Sequence, residues 1–279
     1  MTDTRDARSI YLGLLASAEG VAGKTEVALA LARAAWSRMR RGRGALHVRR
    51  PVVIASGGIR WWVPPFDNSF ASTTPGRDNG RVLPALTELL AERPQPVCLD
   101  IGANLGFVCM PLARRFPARR IVAVEPVPWL ADALVRTARL NGFAGVTVVA
   151  KAIAGAATLE LAVPVLAGVH FTTLSTGLER AEGEIAATQS TRVEVPALTL
   201  DALLDEVGAG PEQVACVKID VEGAEALALS TGPRALSARP PVVFEALSSA
   251  KRAEVETALR GLGYARFDTI DTTDFLARE

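Results

Sequence analysis

From Val97 onward, short apolar runs alternate with amphipathic stretches in which hydrophobic residues recur at i, i+3 and i+4. A run of four to six apolar residues spans a sheet that is buried on both faces, and the stretch after it crosses back as a helix. The pattern predicts strands at 97–101, 121–125, 146–150, 214–220 and 241–245, with helices at 106–115, 128–141, 199–207, 222–230 and 250–262. Weaker alternation at 264–270 and 274–277 predicts a closing hairpin. Segments 157–163 and 192–196 predict an inserted β element around the loop 164–191. This order of elements is that of an α/β fold with a mostly parallel sheet and helices on both faces.

The residues before it read differently. Leu, Ala and Val repeat at helical spacing over 9–40, and VVIASGGIRWWV (52–63) reads as a hairpin turning at Gly57-Gly58. The stretch 64–80, rich in Pro, Asn, Ser and Thr, reads as a loop in the position of a lid, and a helix is expected over 81–92. The expected organisation is an N-terminal helical and hairpin extension, residues 1–74, serving as a lid or dimerisation element, followed by an α/β domain, residues 75–279.

Composition narrows the class. With 49% hydrophobic and 22% charged residues among 279, the chain is neither disordered nor a disulfide-stapled miniprotein. Aromatics are only 5%, so Ala, Leu and Val must fill the core. The net charge of +1 conceals an asymmetry: residues 1–95 carry 14 basic and 8 acidic groups, and 96–279 carry 17 and 22. No acidic residue occurs from Val27 to Phe66, where Arg33, Arg38, Arg40, Arg41, Arg43, Arg49, Arg50 and Arg60 cluster. That run reads either as a solvated face or as a docking surface for an acidic partner; without aromatic interleaving, nucleic acid is not expected. Three cysteines without a C-x-x-C pair argue against a disulfide framework or zinc knuckle. The N-terminus has no signal-peptide pattern and no long uncharged stretch follows, so the expectation is a cytoplasmic protein without a membrane segment.

Chemistry concentrates at three places. In VCLDIGANLGF (97–107) an apolar strand ends in Asp100, and Gly102, Ala103 and Gly106 let the backbone turn tightly before a helix. Asn104 stands where a dinucleotide fingerprint has its second glycine, so no pyrophosphate cradle is implied. An acid at that turn favours a cationic ligand, and S-adenosylmethionine carries both an ammonium and a sulfonium. Glu125, which ends the next strand before Pro126, is placed to accept ribose hydroxyls. In VKIDVEGAEALAL (217–229), Lys218 and Asp220 share one face of a strand, and Glu222 and Glu225 are expected three apart in the first turn of a helix.

Together, Asp100-Ile-Gly-Ala-Asn-Leu-Gly106, Glu125-Pro126, Lys218-Ile-Asp-Val-Glu-Gly-Ala-Glu225 and Glu245 resemble the FkbM-type methyltransferases, over about residues 75–265. The resemblance implies a class I Rossmann-like fold with a seven-stranded sheet. It also implies S-adenosylmethionine as cofactor and methylation of a hydroxyl on a sugar or secondary metabolite. On it, Asp100, Gly102, Ala103, Asn104 and Gly106 line the methionine part, Glu125 and Pro126 the ribose, and the backbone at Ala152 the adenine. Candidate catalytic residues are Asp220, Glu222, Lys218 and His170, the last in the insert. Asp220 and Glu245, ending adjacent strands, form a candidate magnesium pair, with a purely structural role for one of them as the alternative. The expected partner is a small-molecule or glycoside acceptor, with a homodimer through the N-terminal helices as a further expectation. Two other readings compete: a phosphate-loop nucleotide-binding protein, from Ala18-Glu-Gly-Val-Ala-Gly23-Lys24-Thr25, and a catalytically inactive S-adenosylmethionine-binding module.

Overall fold

The computed structural model describes residues 7–41, 46–67, 80–166, 169–170 and 190–279. They form two compact units. The first draws on 1–78, 132–141 and 161–193, and the second on 79–131, 142–160 and 194–279. The predicted lid at 64–80 and the predicted loop 164–191 fall largely outside the described residues.

In the first unit, two helices replace the single one predicted over 9–40: α1, Ala7–Ser17, and α2, Gly20–Arg41. The break has a backbone cause. Ala18 bridges to Ile54, Glu19 N donates to Val53 O at 2.9 Å, and Gly20 adopts φ +70°. The chain leaves the helix there to pair with the hairpin β1, Val52–Ser56, and β2, Ile59–Val63. Arg60 is tied to Glu19 by two hydrogen bonds of 2.8 and 2.7 Å. Arg33 bonds the buried Glu26 at 2.8 Å, so two arginines of the basic run are paired with acids of the same unit.

This geometry corrects the phosphate-loop reading. A phosphate loop follows a strand, but the apolar run 10–15 is helical here, and Thr25 Oγ1 bonds the Val21 carbonyl within α2 at 2.9 Å.

The second unit opens with α3, Val82–Glu92, and continues through β3, Val97–Ile101, α4, Cys109–Arg115, β4, Arg120–Val124, and α5, Pro128–Asn141, whose residues from 132 on belong to the first unit. Then come β5, Val146–Val149, and the insert strands β6, Ala152–Ile153, β7, Thr158–Leu166, β8, Val169–His170, and β9, Ser190–Leu198, of which residues 161–166, β8 and residues 190–193 belong to the first unit. Last are α6, Leu200–Val207, β10, Val214–Ile219, α7, Glu225–Ser230, β11, Val242–Glu245, α8, Ser249–Gly261, β12, Arg266–Thr269, and β13, Asp274–Arg278. Seven strands form one sheet in the order β12-β13-β11-β10-β3-β4-β5. The pairings from β11 through β10, β3 and β4 to β5 are all parallel, and β13 runs antiparallel between β11 and β12.

Every residue of β3 and β10 is buried, which is why these strands read as continuous apolar runs. Leu99, Ile101, Val217, Ile219 and Phe244 pack against Leu200, Leu203, Leu204, Leu229 and Leu259 of the helices. The parallel register brings the carboxyl ends of β3, β4, β10 and β11 to one edge of the sheet. It is there that the sequence placed its acids.

Candidate active site

The turn after β3 is built by close backbone approach. Gly102 N and Ala103 N both donate to Val124 O at 2.9 Å, and Gly102 adopts φ +78°. A Cβ at Gly102 would lie 1.8 Å from Asp220 O, so no other residue fits. Asn104 also has positive φ, +51°, and its Oδ1 accepts from Leu105 N at 2.8 Å, the local bond that lets Asn tolerate this conformation.

Asp100 is fully buried at the head of the turn. Its Oδ2 accepts from Cys109 N at 3.1 Å, while Oδ1 receives no hydrogen bond and has Lys218 Nζ 3.4 Å away. Burial raises the Asp100 pKa above its ordinary value, with the Lys218 charge opposing. A buried carboxylate oxygen with unused acceptor capacity suits a ligand ammonium. Glu125, just past β4, accepts from Asn104 N and Val127 N, each at 2.8 Å. Burial outweighs these two donors and pushes the Glu125 pKa up to about 7.

Lys218 lies in parallel register with Asp100. Its Nζ donates to Gly102 O at 3.1 Å and pairs with Asp220 Oδ2 at 3.2 Å. Burial pulls the ammonium's pKa down, but Asp220 and Asp100 outweigh it and hold it above its ordinary value. Lys218 is therefore a fixed cation between two acids of the site.

Glu222 and Glu225 do not share a helix turn, contrary to the sequence expectation. Glu222 is exposed at φ +56° in the turn before α7, and Gly223 follows at +93°. Glu225 is buried, and its Oε1 accepts from Val221 N at 2.9 Å and Gly223 N at 3.0 Å. It holds the turn that carries Glu222. Asp220 is about a third exposed, with 34% of its side-chain surface accessible, and is the acid of this motif that combines a fixed position with access.

Glu245 ends β11 opposite Asp274 of β13, an acid the sequence reading did not single out. The signal was Asp271-Thr-Thr-Asp274 between the last two apolar runs, but only the antiparallel register shows which residue Asp274 faces. Burial, then the charges of Asp220, Glu222 and Asp274, raise the Glu245 pKa to about 9. Burial and Asp271 raise that of Asp274 to about 7. Asp220 already has the Lys218 ammonium beside it. Among the described residues no three His, Cys, Asp or Glu side chains come together to hold a metal ion. The expected magnesium pair, Asp220 and Glu245, gains no support from this arrangement.

Ala152 is buried in β6, in parallel register with Ala197, and Lys151 before it is ion-paired with Glu206. Pro126 follows Glu125 at the strand end. His170 is in β8, across from Val165 and in the first unit; its side chain and residues 171–189 lie outside the described residues.

The strand order and the acids at the ends of β3 and β4 define a class I, Rossmann-like methyltransferase fold. Several solved structures are similar to this chain. One is the precorrin-6y C5,15-methyltransferase from Geobacter metallireducens, at 16% identity, covering 70% of this chain and 84% of that one with a TM-score of 0.41. Another is an S-adenosylmethionine-dependent O-methyltransferase from Thermotoga maritima, at 11% identity, with 86% and 80% covered and a TM-score of 0.46. A third, TYW2 of M. jannaschii solved in complex with AdoMet, has 11% identity, 82% and 84% covered, and a TM-score of 0.42. No curated protein matches. The sequence matches the family described as "Methyltransferase FkbM domain" over residues 100–266, more than half the chain, and the protein belongs to that family. It is an S-adenosylmethionine-dependent methyltransferase. No helix among the described residues is long and apolar enough to cross a membrane.

Proposed function

We propose that the protein methylates a hydroxyl group of a sugar or secondary-metabolite acceptor, with Asp220 as the proton acceptor. The observation that carries this reading is the spacing of functions along one sheet edge: buried Asp100 and Glu125 at β3 and β4, then the partly exposed Asp220 at β10. When bound, S-adenosylmethionine supplies an activated methyl group on a sulfonium. Asp100 Oδ1 takes the ammonium of its methionine part, Glu125 the ribose hydroxyls, and the buried backbone at Ala152 borders the adenine. Methyl transfer is an in-line displacement, so the protein must orient the acceptor oxygen and remove its proton as the new bond forms. Asp220, its backbone oxygen packed against Gly102, presents a carboxylate beside the methionine turn. Glu222, exposed one turn on, is placed to contact the acceptor rather than the cofactor.

Calorimetric titration with S-adenosylmethionine tests the cofactor assignment. Wild type is expected to bind, and Glu125→Ala to lose at least about tenfold in affinity, through the lost ribose contact. No binding by wild type would overturn the assignment. For Asp220→Asn, turnover on an accepted hydroxyl substrate is expected to fall by about 10²–10⁴, the usual contribution of a general base, with affinity for S-adenosylmethionine near wild type.

A further inference from the structure

Among the four lysines of the chain, Lys218 alone is buried. Its ammonium faces three oxygens: it donates to the Gly102 carbonyl at 3.1 Å and forms ion pairs with Asp220 Oδ2 at 3.2 Å and Asp100 Oδ1 at 3.4 Å. These oxygens come from the turn after β3, the end of β10 and β3 itself. The first and last belong to the proposed cofactor site and the middle one to the proposed acceptor site. We propose that Lys218 is a positioning residue: its ammonium locks the Gly102 turn to Asp220 and sets a positive charge against the buried Asp100, so that cofactor and proton acceptor are held in one fixed geometry. Its functional part rests on the cofactor reading above.

The charge balance supports it. Facing the ammonium are Asp100 from β3, Asp220 beyond β10, Glu125 beyond β4 and the Cys109 thiol from α4. Glu245 from β11 and Asp274 from β13 are within charge range of Asp220. Lys218 is the one cation within ion-pair reach of Asp100 and Asp220 among the described residues. Burial alone drives Asp100 toward its protonated form, and Lys218 is the first force opposing that. Without the ammonium, Asp100 holds its proton to higher pH and no longer offers a charge to the cofactor's ammonium. The Gly102 carbonyl at the same time loses its donor.

S-adenosylhomocysteine titrated across pH 6–9 reads this without an acceptor. In Lys218→Met the dissociation constant is expected to rise about tenfold or more at pH 7, as when a buried pair loses one partner. The loss should deepen as pH falls, beyond any slope of the wild type. Wild-type affinity and slope in Lys218→Met would overturn the proposal. Should that variant not fold, Lys218→Gln, which keeps a donor for Gly102 but no charge, carries the same two outcomes. A wild type that fails to bind S-adenosylhomocysteine defeats the cofactor reading instead. The locking role is then read from melting temperatures: the gap between wild type and Lys218→Met should widen as pH rises from 5 to 8, while a pH-independent gap would overturn it.

Discussion

Glu125 shows how one buried carboxyl links the fold to pH. Its pKa of about 7, against an ordinary 4.5, means that the folded protein keeps a proton the unfolded chain has already released. Its contribution to stability is therefore complete below pH 4.5 and is lost as pH rises through 7, a span worth on the order of 3 kcal/mol. Glu125→Gln should flatten that part of the stability profile, measured by denaturant unfolding from pH 4 to 8. The same titration acts on binding in the opposite direction. The ionised carboxylate is the stronger acceptor for ribose hydroxyls, so affinity for S-adenosylhomocysteine should rise between pH 6 and 8 in wild type and stay level in Glu125→Gln. Gly102 is the second residue whose role is geometric. At φ +78° and with Asp220 O where a Cβ would stand, Gly102→Ala should cost at least about 1–3 kcal/mol from backbone strain and weaken cofactor binding.

Short elements keep these residues in place. Glu225 accepts two backbone N–H groups from the turn that joins β10 to α7, so Glu225→Ala leaves both donors without that partner. A stability loss of about 1–3 kcal/mol is expected by chemical denaturation. Thr199 caps α6, its Oγ1 accepting from Ala202 N at 3.0 Å, and Thr199→Ala should cost about 1 kcal/mol in the same measurement. The strands were legible because burial on both faces leaves an unbroken apolar run: β3 is the predicted 97–101 residue for residue, and β10 ends one residue short of the predicted 220. The start of α7 was not legible. Val-Glu-Gly-Ala-Glu has the charge pattern of a helix N-terminus, yet Glu222 and Gly223 take positive φ and the helix waits until Glu225. Apolar periodicity also ran across Ala18 and Glu19, where the chain instead pairs with a hairpin more than 30 residues away, a long-range contact that local spacing does not encode.

At the scale of the whole molecule, the near-neutral net charge resolves into separate local balances. Glu19 and Glu26 answer Arg60 and Arg33 in the first unit, and in the second Lys218 answers Asp100 and Asp220. Sequence motifs located the acids of the site, while their pairing depended on strand order: Lys218 meets Asp100 because β10 and β3 are parallel neighbours, and Glu245 meets Asp274 because β13 turns antiparallel. Lys24 lies in α2 of the first unit. Lys24→Ala should leave S-adenosylhomocysteine affinity unchanged, and ATP should show no Lys24-dependent binding in the same calorimeter. The central claim is that the cofactor occupies the carboxyl edge of β3 and β4, and a crystal structure with S-adenosylhomocysteine tests it most directly. The account predicts the ribose hydroxyls on Glu125 and the amino group at Asp100 beside the Gly102–Gly106 turn. A ligand bound elsewhere, or one whose ribose makes no contact with Glu125, would contradict it.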